Sequence, residues 1–202
     1  MCGRFVFLSD RDREDILTQM PPSLAQAPGT EQLETRRGDI YPSQKAPVFV
    51  ETDHGPEMAM LKWGYENPFK PKQLLINARA ETAADKRMFK DDFRQRRCLI
   101  PATGFYEWDP EKRQFVFNGP EDLLYLGGLW QPDRKTGDDR FVILTKDPDE
   151  TVSRVHNRMP VLIPADRTAE WLADPVSASP LIGDYSVPLH SKLAAGQQSF
   201  LQ

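Results

Sequence analysis

Nine short apolar segments, "APVFVE", "EMAMLKWGY", "QLLIN", "RCLIPA", "GFYEW", "QFVFN", "LLYLGGLW", "RFVILT" and "MPVLI", follow one another between residues 46 and 163. Each has the length of a strand, and most are rich in β-branched or aromatic residues, so they can be buried together only in a sheet-rich core. The stretch "CGRFVFL" alternates well enough to add a first strand ahead of them. With 18 prolines in 202 residues, turns and short elements are favoured over long helices. The segment "SDRDREDILTQM" reads as a helix with Ser9 as N-cap and Asp12 three residues on, imitating a capping box. "PPSLAQAPGTEQLETRRGDIYPS" has no lasting period and reads as largely loop. Further helices are predicted over residues 83–97 and 165–173, at the periphery. No βαβ alternation or repeat recurs, and no internal linker is visible. The expected fold class is α+β: a single domain over residues 1–202, with mainly antiparallel sheets curled towards a barrel or sandwich.

Charge and cysteine content narrow the function classes. No run approaches the ~18 apolar residues of a membrane span, and the start of the chain lacks the basic-then-apolar layout of a secretory signal. A cytoplasmic protein with no membrane partner is expected. Cys2 and Cys98 are the only cysteines, too few for a disulfide scaffold, and no clustered Cys/His spacing calls for a metal. Neither metal nor cofactor is expected. A net charge of −4 argues against adhesion to nucleic acid through bulk electrostatics. Between residues 86 and 97, however, six basic side chains (Lys86, Arg87, Lys90, Arg94, Arg96, Arg97) face two acidic ones (Asp91, Asp92), a local excess of +4. Such a run is more often a solvated helix face than a nucleic-acid site.

The reactive candidate is Cys2, in "MCGRF". An arbitrary cysteine there would read as a small buried hydrophobe on the first strand. Removal of Met1 would instead leave it with a free α-amine, of reference pKa about 7.7–8.0, beside a thiol of about 8.5. A 1,2-aminothiol can form an imine with an aldehyde through nitrogen and close a five-membered thiazolidine through sulfur. That chemistry needs proton shuttles. In "GFYEWDP", Glu107 lies between Tyr106 and Trp108, where an alternating strand could hold a carboxyl in apolar surroundings and raise its pKa; an exposed glutamate is the plainer reading. His156, in "VHNRMPVLI", is a second candidate, against the reading of a satisfied core or edge histidine. His54 reads as a turn residue, and His190 carries little weight.

Four blocks in order, "MCGR", "INARAET" at residues 76–82, "RCLIPATGFYEW" at 97–108 and "VHNRMPV" at 155–161, resemble the SOS-response-associated peptidase family over nearly the whole chain. "GDIYPSQKAPVF" and "LKWGY" match weaker blocks. The resemblance implies covalent capture of abasic sites in single-stranded DNA. Carried over residue by residue, it makes Cys2 the nucleophile that ends as a thiazolidine. Asn77 would orient the Cys2 amine or the sugar oxygen, Glu107 would be the acid/base near the amine, and His156 a second proton-transfer group near the opened sugar hydroxyl. Arg4 and Arg79 would clamp phosphates flanking the lesion, with Arg158 a weaker candidate. Pro42 and Trp108 would be wedge or stacking elements, core packing being the plainer reading of the tryptophan. An abasic site has no base edge to read, so backbone charge, shape and stacking must supply recognition. The expected partner is therefore abasic single-stranded DNA, bound by a monomer that associates with damaged DNA in the nucleoid.

The chain also departs from the family pattern. After "LKWG", the segment "YENPFKPKQ" is shorter than usual and has no second tryptophan, Phe69 being a possible substitute. The ending "DYSVPLHSKLAAGQQSFLQ" is atypical as well. A retained Met1 would block the amine. Three other readings use the same opening: a glutamine amidotransferase with a terminal-cysteine nucleophile, a peptidase acting on its own Met1 bond, and a non-catalytic single-strand DNA-binding module.

Overall fold

The apolar segments become strands whose partners lie far away in the chain, so the sheets are assembled by long-range pairing. The computed structural model describes residues 2–7, 13–35, 38–119, 121, 123–133, 136–183, 185 and 187–194. In chain order the elements are β1 (Phe5–Phe7), α1 (Arg13–Gln19), α2 (Pro22–Ala25), a 3-10 helix (Thr30–Thr35), β2 (Gly38–Ile40), β3 (Lys45–Thr52), β4 (Gly55–Trp63), β5 (Tyr65–Glu66), β6 (Leu74–Leu75) and β7 (Asn77–Arg79). There follow α3 (Ala80–Ala83), α4 (Lys90–Gln95), β8 (Arg97–Ala102), β9 (Gly104–Trp108), β10 (Gln114–Asn118), β11 (Leu124–Gln131), β12 (Arg140–Lys146) and α5 (Glu150–Ser153). The chain continues through β13 (Met159–Pro160), β14 (Leu162–Ile163), a second 3-10 helix (Ala165–Arg167), α6 (Thr168–Ala173), α7 (Pro175–Gly183) and β15 (His190–Leu193).

Two main sheets result. One is antiparallel throughout, in the order β15-β10-β9-β1-β2. In the other, β12, β4, β3, β8 and β11 form a ring, because β12 pairs with both β4 and β11. The ring is not a regular barrel: β13, β14 and β7 attach to its rim, and β12 runs parallel to both β4 and β7. Strands β5 and β6 form a separate pair. The expected α+β class with curled, mainly antiparallel sheets is what the chain adopts.

The two sheets are joined at residues 102–104. Thr103 donates both its backbone N–H and its hydroxyl to the Val6 carbonyl, at 2.8 and 3.2 Å. Gly104 is required at the turn, since a Cβ there would lie 2.6 Å from Asn118 Nδ2 and 2.8 Å from the Phe117 carbonyl. Aromatic packing fills the interior: the Trp63 ring lies 5.1 Å from Phe5 and 6.1 Å from Phe141, and Phe105 stacks on Phe117 at 5.1 Å.

Several local expectations change. The helix predicted over residues 83–97 is split: α3 ends at Ala83, residues 84–89 turn, α4 covers Lys90–Gln95, and Arg97 already belongs to β8. The charged run has no continuous apolar stripe to bury, whereas "RCLIPA" is buried throughout and pairs with β11 over six residues. The predicted loop around residues 21–43 contains α2, a 3-10 helix and β2; Pro22 occupies the first turn of α2, where its missing N–H costs nothing, and Leu24 is buried. Helix α1 falls where "REDILTQ" predicts one, while Ser9 and Asp12 lie outside the described residues. His54 sits in the β3–β4 hairpin turn, as its sequence context predicts. His190 opens β15, an exposed edge strand.

Candidate active site

Strand alternation builds the centre of the site. Along β9, Phe105 and Glu107 point inward, while Tyr106 and Trp108 are half-buried on the other face. This is the period-2 pattern that puts a carboxyl into the core whenever one occupies an inward position. Glu107 is 1% exposed, and burial pushes its carboxyl up to about 7.

Cys2, just ahead of β1, is fully buried, and its thiol lies 3.7 Å from the Arg4 carbonyl. Burial, and then the Glu107 charge, push the thiol well above its ordinary range. Cys2 and Glu107 are thus electrostatic neighbours, the Glu107 charge acting on the thiol. Asn77 opens β7, whose parallel pairing sets Asn77 opposite Ile143. Its Nδ2 donates to the Cys2 carbonyl at 2.9 Å, and its Oδ1 is buried with no hydrogen-bond partner among the described residues. Trp63 Nε1 donates to the Ile76 carbonyl at 2.9 Å and so anchors the approach to β7.

His156 follows α5, which Asp149 caps by accepting from the Thr151 and Val152 N–H groups at 2.9 and 2.8 Å. Its Nε2 lies 3.9 Å from Glu107 Oε2, and burial lowers its pKa. The Arg158 N–H donates to His156 Nδ1 at 3.0 Å. That bond is made by the tautomer protonated on Nε2, whereas the Arg158 carbonyl, 3.1 Å from Nδ1, would accept from the other tautomer. The structure therefore brings together the four residues the sequence nominated: Cys2, Asn77, Glu107 and His156. Cys2 and Glu107 are buried, whereas Asn77 and His156 are half-buried, the imidazole being 24% exposed.

The three arginines differ. Arg4 is paired with Asp39 and lies over the rings of Tyr106 and Tyr41, with its guanidinium carbon 4.3 and 5.2 Å from the ring centroids. Arg158 reaches Glu81 through both terminal nitrogens, at 2.7 and 2.8 Å, and also Asp147 at 2.6 Å and the Thr145 carbonyl at 2.6 Å. Arg79 ends β7 with its side chain exposed and without a hydrogen bond or ion pair among the described residues. Pro42 is half-buried in the turn between β2 and β3, and Trp108 faces away from Glu107. Asp39, Tyr41, Glu81 and Asp147 shape this surface, and sequence reasoning missed them: pairs 35 and 77 residues apart, Arg4 with Asp39 and Glu81 with Arg158, leave no periodic trace.

Phe69, 87% exposed, lies on the shortened segment after Gly64, beside a cavity of 460 Å³ lined by residues including Asn67, Pro68, Pro71 and Leu74. None of the nominated residues lines it, so it is separate from the candidate active site. Among the described residues no group of three His, Cys, Asp or Glu could hold a metal ion, and no helix is long and apolar enough to cross a membrane. Cys98, on β8, is buried, and its carbonyl accepts from Trp171 Nε1 at 2.8 Å.

Fold and site together define a class of small α+β proteins built around a second-residue cysteine facing an inward carboxyl. The model of the SOS response associated peptidase family matches residues 1–194, and the chain belongs to that family. It is 28% identical over 183 residues to the abasic site processing protein YedK of Escherichia coli strain K12, covering 88% of this chain and 82% of that protein. It is 30% identical over 192 residues to the abasic site processing protein YoaM of Bacillus subtilis strain 168, covering 89% and 82%. A crystal structure of a protein from Bordetella bronchiseptica shares the fold, with a TM-score of 0.76, 22% identity and coverage of 96% of this chain and 99% of that one.

Proposed function

We propose that this chain is a single-domain protein of DNA repair that captures abasic sites in single-stranded DNA, linking them covalently to Cys2 once Met1 is removed. The observation that carries the reading is Glu107, a carboxyl 1% exposed whose charge acts on the Cys2 thiol and which titrates at about 7. Such a group both gives and takes protons at neutral pH.

The α-amine nitrogen adds to the aldehyde carbon of the ring-opened sugar. Glu107 supplies the proton with which the carbinolamine hydroxyl leaves as water, forming the C=N bond. The resulting carboxylate accepts the thiol proton, Sγ bonds to the iminium carbon, and the C=N electron pair returns to the nitrogen, which keeps its N–H as the thiazolidine closes. Nothing is oxidised, and one water is released. Asn77 holds the Cys2 backbone in place, and His156 serves the opened sugar hydroxyl. Arg79 contacts a flanking phosphate, with Arg4 and Arg158 the other arginines near the path and Trp108 and Pro42 the stacking elements.

The test is a denaturing gel after incubation with a uracil-containing oligonucleotide pretreated with uracil glycosylase, using protein whose Met1 removal is verified by mass spectrometry. A heat-stable shifted band, lost in Cys2→Ala while non-covalent binding persists, is expected. No band from verified protein overturns the reading, and an undiminished band from Cys2→Ala overturns the role of the thiol. The same spectrum addresses self-cleavage: complete Met1 removal in Cys2→Ala assigns that step to a separate aminopeptidase.

A further inference from the structure

The motif "INARAET" carries one carboxyl, Glu81, that the proposed chemistry does not use. Its two oxygens face both terminal nitrogens of Arg158, at 2.7 and 2.8 Å, a bidentate pairing across 77 residues. The Arg158 side chain is 13% exposed, so solvent screens this pair less than an ordinary surface bridge. Asp147, whose side chain is 87% exposed, adds a single contact at 2.6 Å, and the Thr145 carbonyl accepts from the same guanidinium at 2.6 Å.

The backbone of Arg158 lies against the imidazole: its N–H is 3.0 Å and its carbonyl oxygen 3.1 Å from His156 Nδ1. Upstream, the His156 N–H donates to the Val152 carbonyl at 2.8 Å, tying the residue to α5. Downstream, Met159 and Pro160 pair with β12. The turn at residues 156–158 thus runs between two anchored ends, and the Arg158 side chain tethers its last residue. Glu81 follows β7, which carries Asn77, so the tether joins the two walls of the site.

We propose that Glu81 is a positioning residue which, through Arg158, sets the aim and tautomer of the His156 imidazole towards Glu107. The inference rests on the reading of His156 as a proton-transfer group. Charged groups reach the ring and its turn from three sides: Glu107 from β9, Glu81 from α3, and Asp147 from the connection after β12. Among these three, Glu107 faces the ring itself, at 3.9 Å. Glu81 therefore acts through geometry. With the tether intact, the Arg158 N–H occupies Nδ1 and the proton stays on Nε2; with the tether cut, the turn relaxes and the Nδ1–H tautomer, donating to the Arg158 carbonyl, competes.

Nitrogen-15 labelling of the histidines, read by long-range proton–nitrogen correlation at a pH well above the imidazole titration and without DNA, tests this directly. His156→Gln assigns the resonances. In the unaltered protein the two His156 nitrogens are expected at well-separated acceptor and N–H positions. In Glu81→Gln and Arg158→Lys they should move towards each other, and the rate of abasic-site capture should fall roughly 10-fold, a fraction of what a proton-transfer group contributes. Lys45→Met, which removes the Lys45–Asp138 bridge on another part of the surface, should leave both unchanged. If Glu81→Gln does not fold, Glu81→Asp decides, since its shorter arm keeps the charge but breaks the bidentate geometry. An unaltered nitrogen pattern in a folded Glu81 variant overturns the proposal. Failure of the capture chemistry in the unaltered protein would leave the DNA-free nitrogen measurement able to decide, so the two readings fail separately.

Discussion

An ionised carboxylate in a protein interior loses its hydration, so a buried Glu107 keeps its proton to about pH 7, against about 4.3 for an unfolded chain. Between those values the folded state binds the proton and the unfolded state does not, so stability falls as pH rises through the window. The stabilisation is fully present below the unfolded pKa and lost above the folded one, a change of roughly 3 kcal/mol. His156 works in the opposite direction, because its folded pKa is lowered. Comparison with Glu107→Gln cancels that contribution. Urea unfolding at a series of pH values should show the variant gaining on the parent by roughly 3 kcal/mol between the two limits. A constant difference across the window would contradict the buried titration. The inward placement of Glu107 was legible in "GFYEW", since a period-2 strand with Phe105 inside must also turn Glu107 inside. The ion pairs of Arg4 and Arg158 were not, because their carboxylates come from separate elements.

At the level of elements, Arg97 explains why the charged run did not become one long helix. It is 3% exposed, and its guanidinium donates to four backbone carbonyls: Trp171 at 2.8 Å, Leu172 at 3.0 Å, Phe93 at 2.7 Å and Arg94 at 3.0 Å. Those carbonyls lie towards the C-terminal ends of α6 and α4, where helix dipoles favour a cation. One side chain thus closes two helices against the start of β8. Arg96 pairs with Asp92 at 2.6 Å, so two of the six basic residues in the run have structural partners. Arg97→Met should cost about 3 kcal/mol in urea unfolding, as is typical when a buried charge is removed from its partners. A loss below about 0.5 kcal/mol, the range of ordinary surface changes, would show that the four carbonyls find other donors. Sequence reasoning saw the basic excess but could not see that helix ends 74 and 75 residues away would absorb part of it.

Across the whole molecule the net charge is −4, and two of the three arginines nominated for phosphates, Arg4 and Arg158, are already paired with carboxylates. Binding should depend only shallowly on salt. Each phosphate contact on a single strand contributes about −0.7 to the slope of log K against log salt concentration. Arg79→Gln should make the slope shallower by about 0.7, measured by fluorescence anisotropy with an oligonucleotide lacking abasic sites. An unchanged slope would remove Arg79 from the phosphate path. Arg158→Lys, by contrast, should show its main effect on the histidine nitrogens.

The sheet-rich fold of short elements and the nomination of Cys2 followed from the sequence alone, because apolar alternation, proline content and the chemistry of an aminothiol are local properties. Only the tertiary structure decided that the second sheet closes into a ring, that β12 runs parallel to two partners, and that Cys2, Asn77, Glu107 and His156 meet. Those outcomes depend on contacts between residues tens of positions apart, where burial and ion pairing select the partner and the linear pattern carries no record of the choice.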